Sequence, residues 1–299
     1  MADNREEKLY GLLGKNIQYS LSPVMHRAAF SHFGISARYE LFDKGEEKLD
    51  DFWEKNVLGG KLSGFNVTVP YKVKICEMLK NCRDREVTFP GIIVDIVRVV
   101  NTVKIEENKL FGYNTDVSGF YDSLIEDIAF DPGKAKDVFV IGAGGAGRAI
   151  SLFLAGSIGA LDINVYDIND AATDSLEKAF KKNRGPGKIS IVKPDEIHKK
   201  LKKCGLLINA TPLGTKEGDK TPIDLNLLEG VDNLVVYDLV YARETELVKR
   251  AKEKGLKASN GLGMLINQAA MAFNIWTGKD VKETKKVMRA ALPEKIRRT

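Results

Sequence analysis

The stretch Val138 to Ala149, VFVIGAGGAGRA, decides the fold of the central part of the chain. A short apolar run breaks into four glycines within six positions, a pattern typical of a strand that turns into a helix around a pyrophosphate. The first glycine allows the sharp turn, the middle pair leaves no Cβ between main chain and phosphates, and the last lets the helix pack closely on the sheet. We therefore predict a dinucleotide-binding turn, rather than a purely structural one, at Gly142, Ala143, Gly144, Gly145, Ala146 and Gly147.

Asp167 supplies the second signal for a dinucleotide site. It ends the next apolar run, Ile163 to Tyr166, twenty positions after Gly147, where dinucleotide folds place the acid that binds the adenosine ribose. A carboxylate accepts hydrogen bonds from a ribose diol and repels a 2′-phosphate. The sequence therefore favours NAD as the cofactor, with NADP as the alternative, and Arg148 could soften that preference.

Strand and helix patterns alternate from Val138 onward. The predicted strands are 138–141, 162–166, 188–192, 205–209, 233–238 and 256–259, and the predicted helices are 145–157, 171–182, 194–202 and 244–254. This alternation indicates an α/β fold with a Rossmann-type, doubly wound parallel sheet. Ligands bind beyond the carboxyl ends of such strands, so we expect Thr211 and Leu239, each just after a strand, to contact the cofactor.

Composition limits the remaining possibilities. With 299 residues the chain is long enough for two hydrophobic cores. It has no apolar run of about 18 residues and no export signal at its start, and its three cysteines show no metal-ligand spacing; we therefore expect a cytoplasmic protein without membrane contact. The net charge of +5 is concentrated in Lys279 to Arg298, which favours a solvated helix surface over nucleic-acid contact. The histidines do not suggest a metal site.

Polar residues in the N-terminal part mark a second candidate site. Leu9 to Leu13 and Gly64 to Val69 are typical of buried strands. Ser22 before Pro23 predicts a helix N-cap, so Ser20 and Ser22 are either plain cap and loop residues or binders of a carboxylate at the positive helix end. Lys72 falls in the first turn of a helix that we expect to begin at Pro70, where the dipole disfavours a cation; it is either surface or chemically active.

Further polar residues lie in the next predicted elements. Asn101 interrupts the predicted strand Val99 to Ile105, which forms a hairpin with Lys109 to Tyr113 through Glu106-Glu107-Asn108. Asp116 either caps the following helix, Val117 to Ile128, or belongs to the second candidate site as a partner of a lysine. Gln268 lies in the largely apolar helix Met264 to Trp276, where a buried amide requires a partner.

Together these motifs resemble the shikimate dehydrogenase family over nearly the whole chain. The resemblance rests on Ser20-Leu21-Ser22-Pro23, Gly64-Phe65-Asn66-Val67-Thr68-Val69-Pro70-Tyr71-Lys72, Val100-Asn101-Thr102, Asn114-Thr115-Asp116, the glycine turn, Asn209-Ala210-Thr211-Pro212-Leu213-Gly214, and Gly261-Leu262-Gly263-Met264-Leu265 with Gln268. Many separate motifs in the same order make it specific. It implies reversible hydride transfer between a nicotinamide cofactor and shikimate or 3-dehydroshikimate.

The resemblance also implies residue roles. Ser20 and Ser22 would bind the substrate carboxylate, and Lys72 and Asp116 would form the catalytic pair. The ring and its substituents would contact Thr68, Asn101, Tyr241 and Gln268, and the cofactor would contact Gly261 and Met264. The implied architecture is a substrate-binding domain of residues 1–115 and 264–299, with a dinucleotide-binding domain of residues 116–263 inserted between.

The sequence departs from the family at two places. NADP-using members commonly carry an Asn-Arg-Thr-like set after the second dinucleotide strand, whereas this chain has Asp167-Ile168-Asn169. Arg98-Val99-Val100 stands where the family usually has Gly-Ala-Val, which changes either the pocket shape or only the surface.

Three rival functions stay open on the sequence: a quinate dehydrogenase, a non-catalytic sensor, and a dinucleotide-fold reductase of unrelated substrate, which would leave the N-terminal polar motifs unexplained. Quinate differs from shikimate by a hydroxyl at the carbon that bears the carboxylate, and the Ser-x-Ser pair leans toward shikimate. A non-catalytic sensor on the same fold would not need Lys72 and Asp116. In each case we expect small-molecule ligands, no nucleic acid, and a monomer or homodimer.

Overall fold

The computed structural model describes residues 7–132, 135, 137–158, 161–183 and 185–297. The chain divides into two compact units. The first unit consists of Met1–Thr115 and Gln268–Pro293, and the second consists of Asp116–Asn267 and Glu294–Thr299. The sequence expectation set the return to the first unit at residue 264, four positions before this division.

The first unit contains a mixed sheet of six described strands. They are β1 (Lys8–Gly14), β2 (Ala37–Asp43), β3 (Gly64–Val67), β4 (Val87–Thr88), β5 (Thr102–Glu106) and β6 (Lys109–Tyr113). Their order across the sheet is β2-β1-β3-β5-β6-β4. β1 runs parallel to β2 and β3, whereas β5 is antiparallel to both β3 and β6. The predicted hairpin is therefore confirmed, and Glu107 and Asn108 form its turn at φ values of 48° and 64°.

Helices pack on this sheet around an apolar core. They are α1 (Ser22–His32), α2 (Leu49–Phe52) continued by a π-helical turn (Trp53–Leu58), α3 (Lys72–Asn81) and α4 (Ile93–Val97). Phe65 from β3, Ile75 from α3 and Leu110 from β6 are fully buried members of that core. α5 (Thr115–Ile128) then leads into the second unit.

The second unit is built on a six-stranded sheet that is parallel throughout its described strands. The strands are β7 (Asp137–Ile141), β8 (Asp162–Tyr166), β9 (Lys188–Ile191), β10 (Leu206–Asn209), β11 (Val235–Asp238) and β12 (Lys257–Asn260), in the order β12-β11-β10-β7-β8-β9. The connecting helices are α6 (Gly145–Ser157), α7 (Asp170–Asn183), α8 (Ile197–Leu201) and α9 (Glu246–Glu253). This order is that of a Rossmann-type doubly wound sheet, so the predicted fold class is confirmed.

The last helices are α10 (Leu262–Thr277), α11 (Val281–Ala291) and α12 (Glu294–Arg297). In the first unit, Trp276 of α10 donates from Nε1 to the carbonyl of Val103, 3.0 Å away. Gly64 makes this contact possible, because a Cβ at that position would lie 2.6 Å from the indole nitrogen. The C-terminal part of α10 is thereby fixed against β3 and β5, the two central strands of the sheet.

Two local predictions need correction. Ser22 is the first helical residue of α1 and not its N-cap, since the cap position is Leu21 and no side chain caps that end. The Ser20 hydroxyl accepts the N–H of Ser22 at 3.2 Å instead. The predicted strand from Val99 begins only at Thr102, because the chain first ends α4 with Arg98 in the left-handed conformation, at φ 56°.

Candidate active site

The carboxyl edge of the second unit's sheet collects most of the predicted cofactor residues. Because the strands are parallel, all of their carboxyl ends lie at this edge, and the strand order changes direction between β7 and β10; ligands bind at such a switch point. The residues that follow the strands are Gly142 after β7, Asp167 after β8, Thr211 after β10, Leu239 after β11 and Gly261 after β12.

The glycine turn has the shape that a pyrophosphate requires. Gly142 has a φ of 100°, and a Cβ there would lie 3.0 Å from the Ala210 carbonyl carbon. A Cβ on Gly147 would overlap the Gly142 carbonyl oxygen, so helix α6 lies directly against the turn. Gly144 is exposed, and among the described residues no atom lies within 4 Å of the place where its Cβ would be. An anion can therefore approach the main chain at the start of α6.

Asp167 is tied to this turn. Its Oδ2 accepts the N–H of Ala143 at 2.6 Å, and its Oδ1 accepts the N–H of Asn169 at 2.8 Å. Asn169 in turn accepts the N–H of Ala171 at 3.1 Å, at the start of α7. The half-buried carboxylate is thus held in place, and each oxygen keeps a lone pair that a ribose hydroxyl could use.

Asn260, which sequence reasoning missed, lies at the same edge. Its Oδ1 accepts the N–H of Leu262 at 3.1 Å, and this bond fixes which end of the amide is the nitrogen. Nδ2 is buried, and no acceptor reaches it among the described residues. The next residue, Gly261, packs on the backbone of Leu239 so closely that a Cβ would overlap its carbonyl. An unused buried donor is costly, so this edge fits a ligand that brings an acceptor, as the nicotinamide carboxamide does.

A buried chain of hydrogen bonds supports the predicted substrate residues of the first unit. Asn66 donates from Nδ2 to the Asn101 carbonyl at 3.3 Å and to the Thr102 hydroxyl at 3.0 Å. Because a carbonyl only accepts, Asn66 must turn its Oδ1 toward Tyr39, whose hydroxyl donates to it at 2.8 Å. The directions of the three bonds that the Asn66 amide makes are therefore determined.

Asn101 continues this network to the start of α5. Its Oδ1 accepts the N–H of Thr115 at 2.7 Å, and its Nδ2 donates to the Thr115 hydroxyl at 2.9 Å. Asp116 is the next residue and lies in the first turn of α5, where it is 6% exposed. Asn101 is thus a rigid, buried amide whose orientation is set by a main-chain donor.

The helix α3 begins at Lys72 and not at Pro70 as predicted, and Lys72 is half-buried. Its carbonyl accepts the N–H of Val100 at 3.1 Å. Thr68 follows β3 and donates its N–H to Leu13 at 2.9 Å, while Val67 donates to the carbonyl of Asn101 at 2.8 Å. Main-chain bonds therefore bring the segments of Thr68, Lys72 and Asn101 together within the first unit.

The remaining predicted residues are only partly accessible. Tyr241 and Gln268 are half-buried and Met264 is buried. The fully buried amide of α10 is Asn267 and not Gln268: Asn267 is 2% exposed and donates to the Gly119 carbonyl at 3.4 Å. The signal that singled out Gln268, an amide in an apolar helix, applied equally to its neighbour.

Other site classes find little support in the part of the chain that the structure describes. It contains no group of three or more His, Cys, Asp or Glu side chains suited to a metal ion. His26 is buried, stacks on Tyr39 with ring centroids 4.4 Å apart, and has its pKa lowered by burial to about 3. None of the described helices is long and apolar enough to cross a membrane.

Comparisons with known proteins agree with this geometry. The family description "Shikimate dehydrogenase substrate binding domain" matches residues 12–87, and "Shikimate 5'-dehydrogenase C-terminal domain" matches residues 261–292. Shikimate dehydrogenase (NADP(+)) of Methanopyrus kandleri is 35% identical over 98% of this chain and 97% of its own, and that of Methanocaldococcus jannaschii is 37% identical over 98% and 99%. Among solved structures, the chain is similar to shikimate 5-dehydrogenase from Listeria monocytogenes in complex with shikimate and NAD. The two sequences are 30% identical, the match covers 94% of this chain and 96% of the other, and the TM-score is 0.77.

A parallel sheet with a dinucleotide turn, joined to a separate mixed-sheet unit that carries buried polar groups, is an architecture typical of nicotinamide-dependent oxidoreductases, and the named relatives place the chain in that class. Within that class, the full-length identity to named relatives settles the assignment: the chain belongs to the shikimate dehydrogenase family.

Proposed function

We propose that the chain interconverts shikimate and 3-dehydroshikimate, with Lys72 as proton acceptor and donor and Asp116 as its partner. The observation that carries this proposal is the buried network of the first unit. It fixes Asn66, Asn101 and the start of α5 in one hydrogen-bonded chain, and main-chain bonds fix the start of α3 beside it. The names of the full-length relatives support the same reaction.

The chemistry assigns a task to each residue. Oxidising a secondary alcohol removes a hydride, which a bound nicotinamide accepts, and a proton, which needs a base at the hydroxyl oxygen. The Lys72 amine takes this proton, and the resulting ammonium returns it to the carbonyl oxygen in the reverse direction. The Asp116 carboxylate accepts a hydrogen bond from the neighbouring ring hydroxyl and so orients the substrate.

The substrate carboxylate binds at the start of α1 in this proposal. Ser20 and Ser22 lie there, and the first N–H groups of an 11-residue helix favour an anion. Thr68, Asn101, Tyr241 and Gln268 contact the ring hydroxyls. We prefer shikimate to quinate because the full-length relatives are named shikimate dehydrogenases.

For the cofactor, two observations point in opposite directions. Asp167, fixed beside the glycine turn, suits a ribose diol and repels a 2′-phosphate. The relatives are named as NADP(+) enzymes and thus do not support the sequence expectation. We retain NAD as the preferred cofactor on the strength of Asp167, with Gly142 to Gly147, Thr211, Leu239, Gly261 and Met264 as the residues that hold it.

Steady-state assays of nicotinamide reduction test the proposal. Shikimate and quinate are each offered with NAD and with NADP, and kcat/KM is compared across the four pairs. We expect shikimate with NAD to give the highest value. Turnover of neither acid with either cofactor would refute the function, whereas a clear advantage of NADP would refute only the role given to Asp167.

A further inference from the structure

Asp238 is a buried carboxyl that the proposed reaction does not use. It is the last residue of β11, and its side chain is fully buried. Burial raises its pKa to about 6, while three hydrogen bonds act in the opposite direction. A carboxyl in such a place destabilises the fold unless it is fully engaged, so its partners are informative.

Three donors from different segments meet this carboxyl. Oδ1 accepts from Nδ2 of Asn209 at 2.9 Å and from the N–H of Val240 at 3.0 Å. Oδ2 accepts from the hydroxyl of Thr245 at 2.7 Å. A carboxylate is acceptor-only, so it fixes the direction of all three bonds.

The bond to Asn209 helps to fix the conformation of the loop that follows β10. With its Nδ2 on Asp238, Asn209 turns its Oδ1 toward Thr211 and accepts both the N–H at 3.0 Å and the hydroxyl at 2.7 Å. The reverse orientation of the amide would place two N–H donors against each other. Asp238 is the nearer of the two acceptors of this Nδ2, the other being the Leu213 carbonyl at 3.4 Å, and it therefore helps to hold Thr211 in place through Asn209.

The other two bonds set the segment that follows β11. The N–H of Val240 is held by Asp238, and the carbonyl of Val240 accepts the N–H of Gly261 at 3.0 Å. Thr245, the third donor, also caps α9 by accepting the N–H of Val248 at 3.3 Å. Leu239, between Asp238 and Val240, donates its N–H to the Asn209 carbonyl at 2.9 Å, so both loops depend on the same carboxyl.

We propose that Asp238 is a positioning residue for the cofactor: acting through Asn209 and the main chain of Val240, it holds Thr211, Leu239 and Gly261 at the carboxyl edge of the sheet. This inference rests on the proposed function, which makes those three residues cofactor contacts. Asp238 does not touch the cofactor. Its effect is on dinucleotide affinity and not on the chemical step.

The test compares Asp238→Asn with two kinds of control: a core variant that only lowers stability, and a pair of Thr245 variants that remove or retain one hydrogen-bond donor. Asp238→Asn keeps the volume but puts an N–H donor where a carboxylate oxygen accepted, so either the Thr245 hydroxyl must turn to accept from the amide or one of the three bonds is lost. Leu228→Ala removes a buried side chain of the same unit, 1% exposed and outside every proposed site, and serves as the control for simple destabilisation. Thr245→Val removes one donor, and Thr245→Ser retains it.

For Asp238→Asn we expect the KM for the preferred dinucleotide to rise about tenfold, with kcat at saturation within about twofold of the native enzyme. Thr245→Val should raise that KM at least about threefold, and Thr245→Ser should restore it to within about twofold. Leu228→Ala should lower the melting temperature without changing the KM. Dissociation constants for NAD and NADP, measured by fluorescence titration without shikimate, should follow the KM values.

A native-like dinucleotide KM in Asp238→Asn, or an equal rise in Leu228→Ala, would overturn the inference. If Asp238→Asn does not fold, the two Thr245 variants decide instead: equal dinucleotide KM values for Thr245→Val and Thr245→Ser would overturn the inference. If the native chain shows no turnover, the proposed function fails instead. The dissociation constants of the folded variants for NAD and NADP then decide the role of Asp238 alone.

Discussion

Replacing Tyr39 with Phe removes one hydroxyl from the buried chain of hydrogen bonds in the first unit. That hydroxyl donates to Oδ1 of Asn66 at 2.8 Å. The ring itself can stay in place, since its stacking on His26 at 4.4 Å needs only the aromatic face. Asn66 cannot rotate its amide to compensate, because its Nδ2 is held by the carbonyl of Asn101.

The magnitude follows from this rigidity. Phe leaves the buried Oδ1 of Asn66 without a donor, and an orphaned buried acceptor costs about 1–3 kcal/mol. With a loss of about 2 kcal/mol and a urea m-value of about 2 kcal/mol/M, the unfolding midpoint of the first unit should fall by about 1 M. Because Asn66 also donates to the carbonyl of Asn101, a proposed substrate residue, the KM for shikimate should change with little effect on the KM for the dinucleotide.

Tryptophan fluorescence during urea unfolding is the assay, since both tryptophans of the chain, Trp53 and Trp276, belong to the first unit. Tyr10→Phe is the matched control. Tyr10 is equally buried and packs on Trp276 with centroids 4.9 Å apart, but its hydroxyl makes no hydrogen bond among the described residues. Equal midpoints for the two variants would refute the account of the network.

Three further predictions concern single residues. Arg98→Gly should raise the free energy of unfolding by about 1 kcal/mol, measured as a higher urea midpoint, because Arg98 holds a left-handed φ of 56° that glycine adopts without strain; an unchanged or lower midpoint would contradict this. The second unit should lose stability as pH rises from about 4 toward 6. Burial raises the pKa of Asp238 from 3.8 to about 6. The native state therefore binds this proton more tightly than the unfolded state, and it loses that advantage as the pH rises. The loss amounts to about 3 kcal/mol, and hydrogen exchange in β10 and β11 should show it in the native chain and not in Asp238→Asn. Gly147→Ala should weaken dinucleotide binding at least about tenfold, because the new Cβ would overlap the Gly142 carbonyl; isothermal titration that finds native affinity would show that the turn tolerates the displacement.

The second unit could be predicted almost completely from the sequence because its signals are local. The glycines from 142 to 147 shape a turn within six positions, and Asp167 follows one strand later at the same edge of a parallel sheet. Parallel strands with their connecting helices leave only one edge for the residues after each strand. The fold class and the position of the candidate cofactor residues after the strands therefore follow from short-range patterns, whereas Asn260 at the same edge was missed.

The supporting network of the first unit could not be predicted in the same way. Tyr39 and Asn66 are 27 positions apart, and Asn66 and Thr102 are 36 apart, so no spacing rule joins them. Arg98 occupies a left-handed position that its residue type does not indicate. In α10, apolar periodicity could not decide whether Asn267 or Gln268 turns inward.

The central claim is that the Lys72 amine carries the proton in shikimate oxidation, and turnover of Lys72→Met tests it most directly. Lys74→Met, an exposed lysine on the same helix, is the control for loss of charge. The account predicts a kcat at least about a hundredfold below native for Lys72→Met, a KM for shikimate within about threefold of native, and native turnover for Lys74→Met. Full turnover in folded Lys72→Met would contradict it.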